Sequence, residues 1–156
     1  MIRVVLTVLV AVALLAASMP ALDDARVATT EERIETESDR VERAVGGLTA
    51  GSMSVSDPSL AARTTVTVRA PSGVTAARVD RLALVGPDRS ENDSGAALRY
   101  RIDGGRARTA SIVPGPVGAT VEVADGPIAL RTRGESRLEL RLVDDGGPTV
   151  RIARIG

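Results

Sequence analysis

Residues 4–45 read VVLTVLVAVALLAASMPALDDARVATTEERIETESDRVERAV, and the change of character at Asp23 decides how the chain is built. Val4 to Leu22 is an uncharged run of 19 residues whose polar members are Thr7 and Ser18. As an α-helix it would extend roughly 28 Å, close to the hydrocarbon thickness of a bilayer. Three readings fit such a run: a retained membrane anchor, a secretory signal peptide, or a buried core helix. In the signal reading Arg3 is the charged start, Val4 to Leu15 the apolar stretch, and Ala16-Ala17-Ser18 or Ala21 the place of cleavage. Anchor and signal agree on topology. Arg3 precedes the run and Asp23 and Asp24 follow it, so the N-terminus is expected in the cytoplasm and everything after Leu22 outside.

From Asp23 to Val45 the chain carries eight acids and four Arg, with no Gly or Pro. The pattern predicts a helix over residues 23–46. Val27, Ile34 and Val41 recur every seven residues, and Val45 and Leu48 continue the stripe at spacings of four and three. Such a stripe serves either a surface helix packed on the following domain or a stalk that meets partner helices. Thr29 or Thr30, with Glu32 and Glu35, would cap the helix if it broke there. Pro20 stands where the apolar run meets the acidic stem, as a kink or a new start. Gly46-Gly47 is the expected end. Residues 47–60, rich in Gly, Ser and Ala, read as a linker.

Residues 61–156 alternate apolar and polar positions in about eight segments: Thr64–Ala70, Ala77–Val85, Ala97–Ile102, Ala107–Val113, Ala119–Ala124, Ile128–Arg133, Ser136–Val143 and Thr149–Ile155. Turn-forming groups such as Asp103-Gly104-Gly105, Asp125-Gly126-Pro127 and Asp144-Asp145-Gly146-Gly147-Pro148 separate them, at the spacing of a β-sandwich or a meandering antiparallel sheet. In Ser136–Val143 the leucines 138, 140 and 142 fall on one face and Arg137, Glu139 and Arg141 on the other. The fold class is therefore α+β: a hydrophobic and amphipathic helical part, residues 1–22 and 23–46, followed by an all-β domain. Its core must be aliphatic, because Tyr100 is the only aromatic residue.

Composition narrows the function. Every one of the 20 basic residues is Arg, and the chain has no Lys, His, Cys, Trp or Phe. Imidazole bases, thiolate nucleophiles, Lys Schiff bases and Cys/His metal cages are thereby excluded. A formal charge of zero and one aromatic give no basis for nucleic-acid binding. Asp93-Ser94-Gly95 matches the tripeptide of aspartic proteases, but it has no second copy and polar flanks, so it reads as a turn. The acid pairs Asp23-Asp24, Glu31-Glu32 and Asp144-Asp145 lack the spacing of a calcium loop. No catalytic residue, metal or cofactor is therefore expected. Asn92, the only Asn, heads the glycosylation triplet Asn92-Asp93-Ser94. Arg at period two, in Arg99/Arg101, Arg106/Arg108 and Arg131/Arg133, would align guanidinium groups on one sheet face. That face is either a solvated surface interleaved with acids or a binding face for an acidic stem, an acidic glycan or a phosphate.

An apolar helix, an amphipathic stem and a β-rich head in that order resemble the plan of archaeal type IV pilins and pseudopilins. The Lys-free, Arg- and acid-rich style is similar to that of halophilic archaeal membrane-anchored proteins. The resemblance implies a non-enzymatic, single-pass extracytoplasmic protein, pilin-like or part of a secretion apparatus. Residues 4–22 would then bind the membrane, and Val27, Ile34, Val41, Val45 and Leu48 would meet other membrane or pilin-like subunits. The alternatives are a secreted β-sandwich binding module with its signal peptide removed and, more remotely, a hydrolase using paired carboxylates.

Overall fold

In the computed structural model, residues 2–87, 95–114 and 118–156 are described. One helix, α1 (Ile2–Gly51), precedes eight strands. These are β1 (Ala62–Ala70), β2 (Val79–Val85), β3 (Ala96–Ile102), β4 (Arg108–Ile112), β5 (Thr120–Val123), β6 (Ile128–Ala129), β7 (Gly134–Asp144) and β8 (Pro148–Arg154). They form two four-stranded sheets, β1-β7-β8-β5 and β4-β3-β2-β6. All described pairings between these strands are antiparallel except β5 with β8, and an isolated parallel bridge joins Val55 to Val143. The α+β class holds, and the β domain is two sheets rather than a single meander.

Both sheets close on one aliphatic core. Leu138, Leu140 and Leu142 of β7, Ile152 of β8, Leu84 of β2 and Leu98 of β3 are each 0–1 % exposed. The alternation in Ser136–Val143 thus sets the inner face, with Arg137, Glu139 and Arg141 turned outward. The predicted strand over Ile128–Arg133 shortens to two residues. Its N–H of Leu130 still bonds Leu82 O at 2.9 Å, but the N–H of Arg131 turns to Ser136 Oγ at 2.9 Å, and Gly134 takes a φ of 83° as the chain crosses to the other sheet.

The helix departs from expectation in three ways. It passes through Pro20 without ending, so the apolar run and the acidic stem are one element. It also runs through Gly46-Gly47 to Gly51. Each glycine costs a helix about 1 kcal/mol relative to alanine, but Val45 and Leu48, at 0 % and 8 % exposed, gain more by burial than that. Finally, Thr30 does not cap a break. Its hydroxyl donates to Arg26 O at 2.8 Å and accepts the N–H of Ala77 at 2.8 Å.

The stripe of the stem faces the chain's own sheets. Ile34, Val41, Val45 and Leu48 belong to the β core, and Val27 packs at its rim. The helix lies over the side of the sandwich where β1 and β4 are the outermost strands of their sheets. Its polar side chains engage those strands: Glu37 Oε2 accepts the N–H of Arg69 at 3.0 Å, and Ser38 Oγ donates to Ser111 O at 3.0 Å. Glu42 Oε2 accepts the N–H of Val113 at 3.2 Å. Exposed strand edges carry unpaired backbone groups, and this half of α1 supplies partners for them. Residues 27–48 are therefore part of the folded domain, and the stripe is not left open for partner helices.

Candidate functional site

Two surfaces stand apart from the packed domain. The first is the N-terminal half of α1. Every residue from Ile2 to Arg26 is exposed, including Val4, Leu6, Leu9, Val12, Leu15 and Leu22. The helix is long and apolar enough to cross a membrane. The two polar side chains of the run from Val4 to Leu22 are satisfied without water: Thr7 Oγ1 donates to Arg3 O at 2.9 Å, and Ser18 Oγ donates to Leu14 O at 2.8 Å. A hydroxyl bonded to the preceding turn is how a Ser or Thr is accommodated where solvent is absent. Pro20 lacks the N–H that would meet the Ala16 carbonyl, and it lies at the last turn of the apolar run, next to the charged Asp23 and Asp24.

The second surface is the outward face of the β4-β3-β2-β6 sheet. Arg99 and Arg101 lie on it together, as the alternation of β3 requires. Arg81 of β2 joins them, paired in register with Arg101, while Ala83 pairs with Arg99. Small residues fill the rest of the face: Ala83, Ala97, Thr109, Ser111 and Ala129. None of the three guanidinium groups has a hydrogen bond or ion pair among the described residues, although Asp80 and Asp103 line the same hollow as Arg81 and Arg101. The outward face of the other sheet carries several ion pairs, although Arg63 and Arg137 have none among the described residues. Arg69 meets Glu135 at 2.8 Å, and Arg151 meets both Glu122 and Asp145 at 2.7 Å. The Arg151 guanidinium is held above its ordinary pKa, first by the hydrogen bond it donates to Glu122.

The remaining arginines of the expected face go elsewhere. Arg108 sits on β4 opposite Tyr100, on the helix side, and forms an ion pair with Glu31. Arg106 lies in the turn before it and helps line a hollow of about 220 Å³ with Val27, Glu31 and Tyr100. Arg131 and Arg133 lie in the turn between β6 and β7. A single guanidinium face made of all six is thus corrected to Arg99 and Arg101 with Arg81. Burial, aided by the Glu31 carboxylate, raises the Tyr100 phenol above its ordinary pKa.

A wider hollow of about 800 Å³ lies where β2 ends beside β5, lined by Val85, Arg99, Glu122, Asp125 and Asp145 among others. Two of its carboxylates, Glu122 and Asp145, converge on Arg151 and share its one positive charge, and both side chains are about half exposed or more. That is an ion-pair network at the surface and not a pair of carboxylates sharing a proton in an apolar cleft. Among the described residues no group of three or more Asp or Glu could hold a metal ion. Asn92 and the Asp93-Ser94 part of the tripeptide lie outside the described residues.

Sequence reasoning missed three positions that join helix to sheet, Thr30, Glu37 and Ser38, each 8 % exposed or less. The signal was their phase. Positions 30, 34, 37, 41, 45 and 48 recur at spacings of three and four, but polar members do not register in a hydrophobic pattern. Over residues 1–155 the chain matches the family model described as a domain of unknown function, DUF7311, and it belongs to that family. No curated protein and no solved structure matches it.

Proposed function

We propose that this member of the family is a non-enzymatic, single-pass membrane protein that holds its β domain on the extracytoplasmic side, as a pilin-like or secretion-apparatus subunit does. The observation that carries the reading is the division of one unbroken helix. Residues 2–26 are all exposed and 4–22 carry no charge, whereas Thr30 to Thr49 supply a wall of the β core. An aliphatic surface of that length left in water would be a large unpartnered patch, and a bilayer is the environment that covers it. Thr7 and Ser18 bond inside the helix, as Thr29 and Thr36 of the stem also do, and so strand no hydroxyl in such an environment. Arg3 before the run and Asp23-Asp24 after it support an N-terminus in the cytoplasm and a domain outside. Because the helix grows directly out of the core, the anchor would set the height and tilt of the domain above the membrane.

The chain has no Cys, so one introduced thiol reports its own location. Val74→Cys, at a position 89 % exposed on the β domain, is expected to react with a membrane-impermeant maleimide on intact cells. Reaction only after lysis places the domain inside and overturns the topology. If cleavage after Ser18 or Ala21 releases the chain, the same thiol appears in the medium, and the secreted binding module takes its place.

A further inference from the structure

We propose that the outward Arg81–Arg99–Arg101 face is the docking surface for the acidic stripe of α1 on a second copy of this chain. The stripe is Glu32, Glu35 and Asp39. Spacings of three and four residues put these acids on one side of the helix, away from the buried Ile34, Val41 and Val45. All three are exposed, and none has an ion-pair partner among the described residues. The two surfaces are thus opposite in sign, and no ion pair among the described residues engages either set within one copy, although Asp80 and Asp103 border Arg81 and Arg101, Glu122, Asp125 and Asp145 border Arg99, and Arg43 lies on the flank of Asp39. Arg81 and Arg101 face each other across neighbouring strands, where like charges destabilise, so an incoming carboxylate relieves repulsion as well as making direct Arg–carboxylate pairs. The alanines and hydroxyl residues between the arginines leave room for a helix to approach.

Height along the helix makes the match specific. Glu31 meets Arg108 and Ser38 meets Ser111, so β4 runs alongside α1 in the same direction. Seven helical residues rise about 10.5 Å and three strand residues about 10 Å, so the levels stay in step. Through the register of β3 with β4, Arg99 pairs with Thr109 and therefore stands level with residues 33–34 of the helix, with Arg101 and Arg81 about 7 Å nearer the anchor, level with residues 28–29. Two copies held at the same height bring Glu32 and Glu35 of one to the level of Arg99 of the other, with Arg101 and Arg81 about one helical turn below Glu32. The contact uses different surfaces on the two copies, so it repeats and builds rows or rings in the membrane plane.

The shared height rests on the anchored reading, and the experiment separates the two. Thr36 lies beside the acids and Thr109 beside Arg99, both exposed, so Thr36→Cys with Thr109→Cys puts thiols at the contact while keeping every charge. The full chain with both changes is reconstituted in vesicles, floated, and treated with a bismaleimide. A ladder of trimers and larger products in the floated fraction is expected, and either thiol alone should stop at dimers. Adding Arg99→Glu and Arg101→Glu should reduce the ladder about tenfold or more. Adding Glu32→Arg and Glu35→Arg to that chain should restore it. Floated protein that stays monomeric overturns the docking proposal and leaves the anchor standing. A ladder that survives the Arg reversal, or is not restored by the double exchange, also overturns it. Protein that fails to float but still forms the ladder overturns the anchor and keeps the interface, and failure of both overturns both.

Discussion

One carboxylate oxygen of Glu37, on α1, accepts the backbone N–H of Arg69, on β1, at 3.0 Å. The same carboxylate takes Arg40 Nη1 on both oxygens, at 2.8 and 2.9 Å, and it is 8 % exposed. A charged side chain is buried here because it completes the hydrogen bonding of a sheet edge and carries its own counter-ion one helical turn away. With Ser38 and Glu42 engaging the β4 side, the helix acts as a wall of the sandwich at both outer strands.

Glu37→Ala should lower the stability of the domain by about 1–3 kcal/mol, since it leaves a buried N–H without an acceptor. Glu37→Gln should cost less, because its amide oxygen can still accept that N–H. Thermal unfolding by circular dichroism in detergent checks the order. Equal losses for both variants would mean that the ion pair with Arg40, and not the edge N–H, is what matters.

Ile34→Ala should cost about 2–5 kcal/mol, because Ile34 is 1 % exposed in the shared core. Val8→Ala, at a position 56 % exposed, should change domain stability by less than about 0.5 kcal/mol. Comparable effects at the two sites would contradict the division of the helix into a free half and a packed half.

Gly47→Ala should stabilise the domain by about 0.5–1 kcal/mol. The position is helical and exposed, and nothing lies within 4 Å of where a Cβ would stand. Destabilisation would mean that the helix ends at Gly46-Gly47 after all.

Tyr100 is the only aromatic residue, so ultraviolet absorbance follows one phenol. Its folded pKa is raised above 10.0, first by burial and then by Glu31. The folded state therefore holds the proton more tightly than the unfolded one, and the stability from this group is full below pH 10 and declines as pH rises through the folded value. A midpoint above that of the denatured chain is expected. Coincident midpoints would contradict the buried placement of Tyr100 against the helix.

The class of fold was legible because its signals are local. The leucines at 138, 140 and 142 alternate, and Val4 to Leu22 is uncharged throughout. Strand order was not, since β1 pairs with β7 across more than sixty residues of chain and β5 pairs in parallel with β8. The stem stripe was found at Ile34, Val41, Val45 and Leu48, but which surface it covers depends on tertiary packing that periodicity does not encode. Arg99 and Arg101 were placed together correctly because they share one strand. Arg108 was misplaced because its strand lies next to the helix, where Glu31 draws it inward, and Arg81 was missed because its partner stands on a different strand.

The central claim is that residues 4–22 stay attached and hold the chain in a membrane. Intact mass and N-terminal sequence of the protein from membrane and medium fractions of its native host test it most directly. The account predicts protein in the membrane fraction that keeps the run from Val4 to Leu22. A chain that begins near Met19 or Leu22 and is recovered from the medium would contradict it.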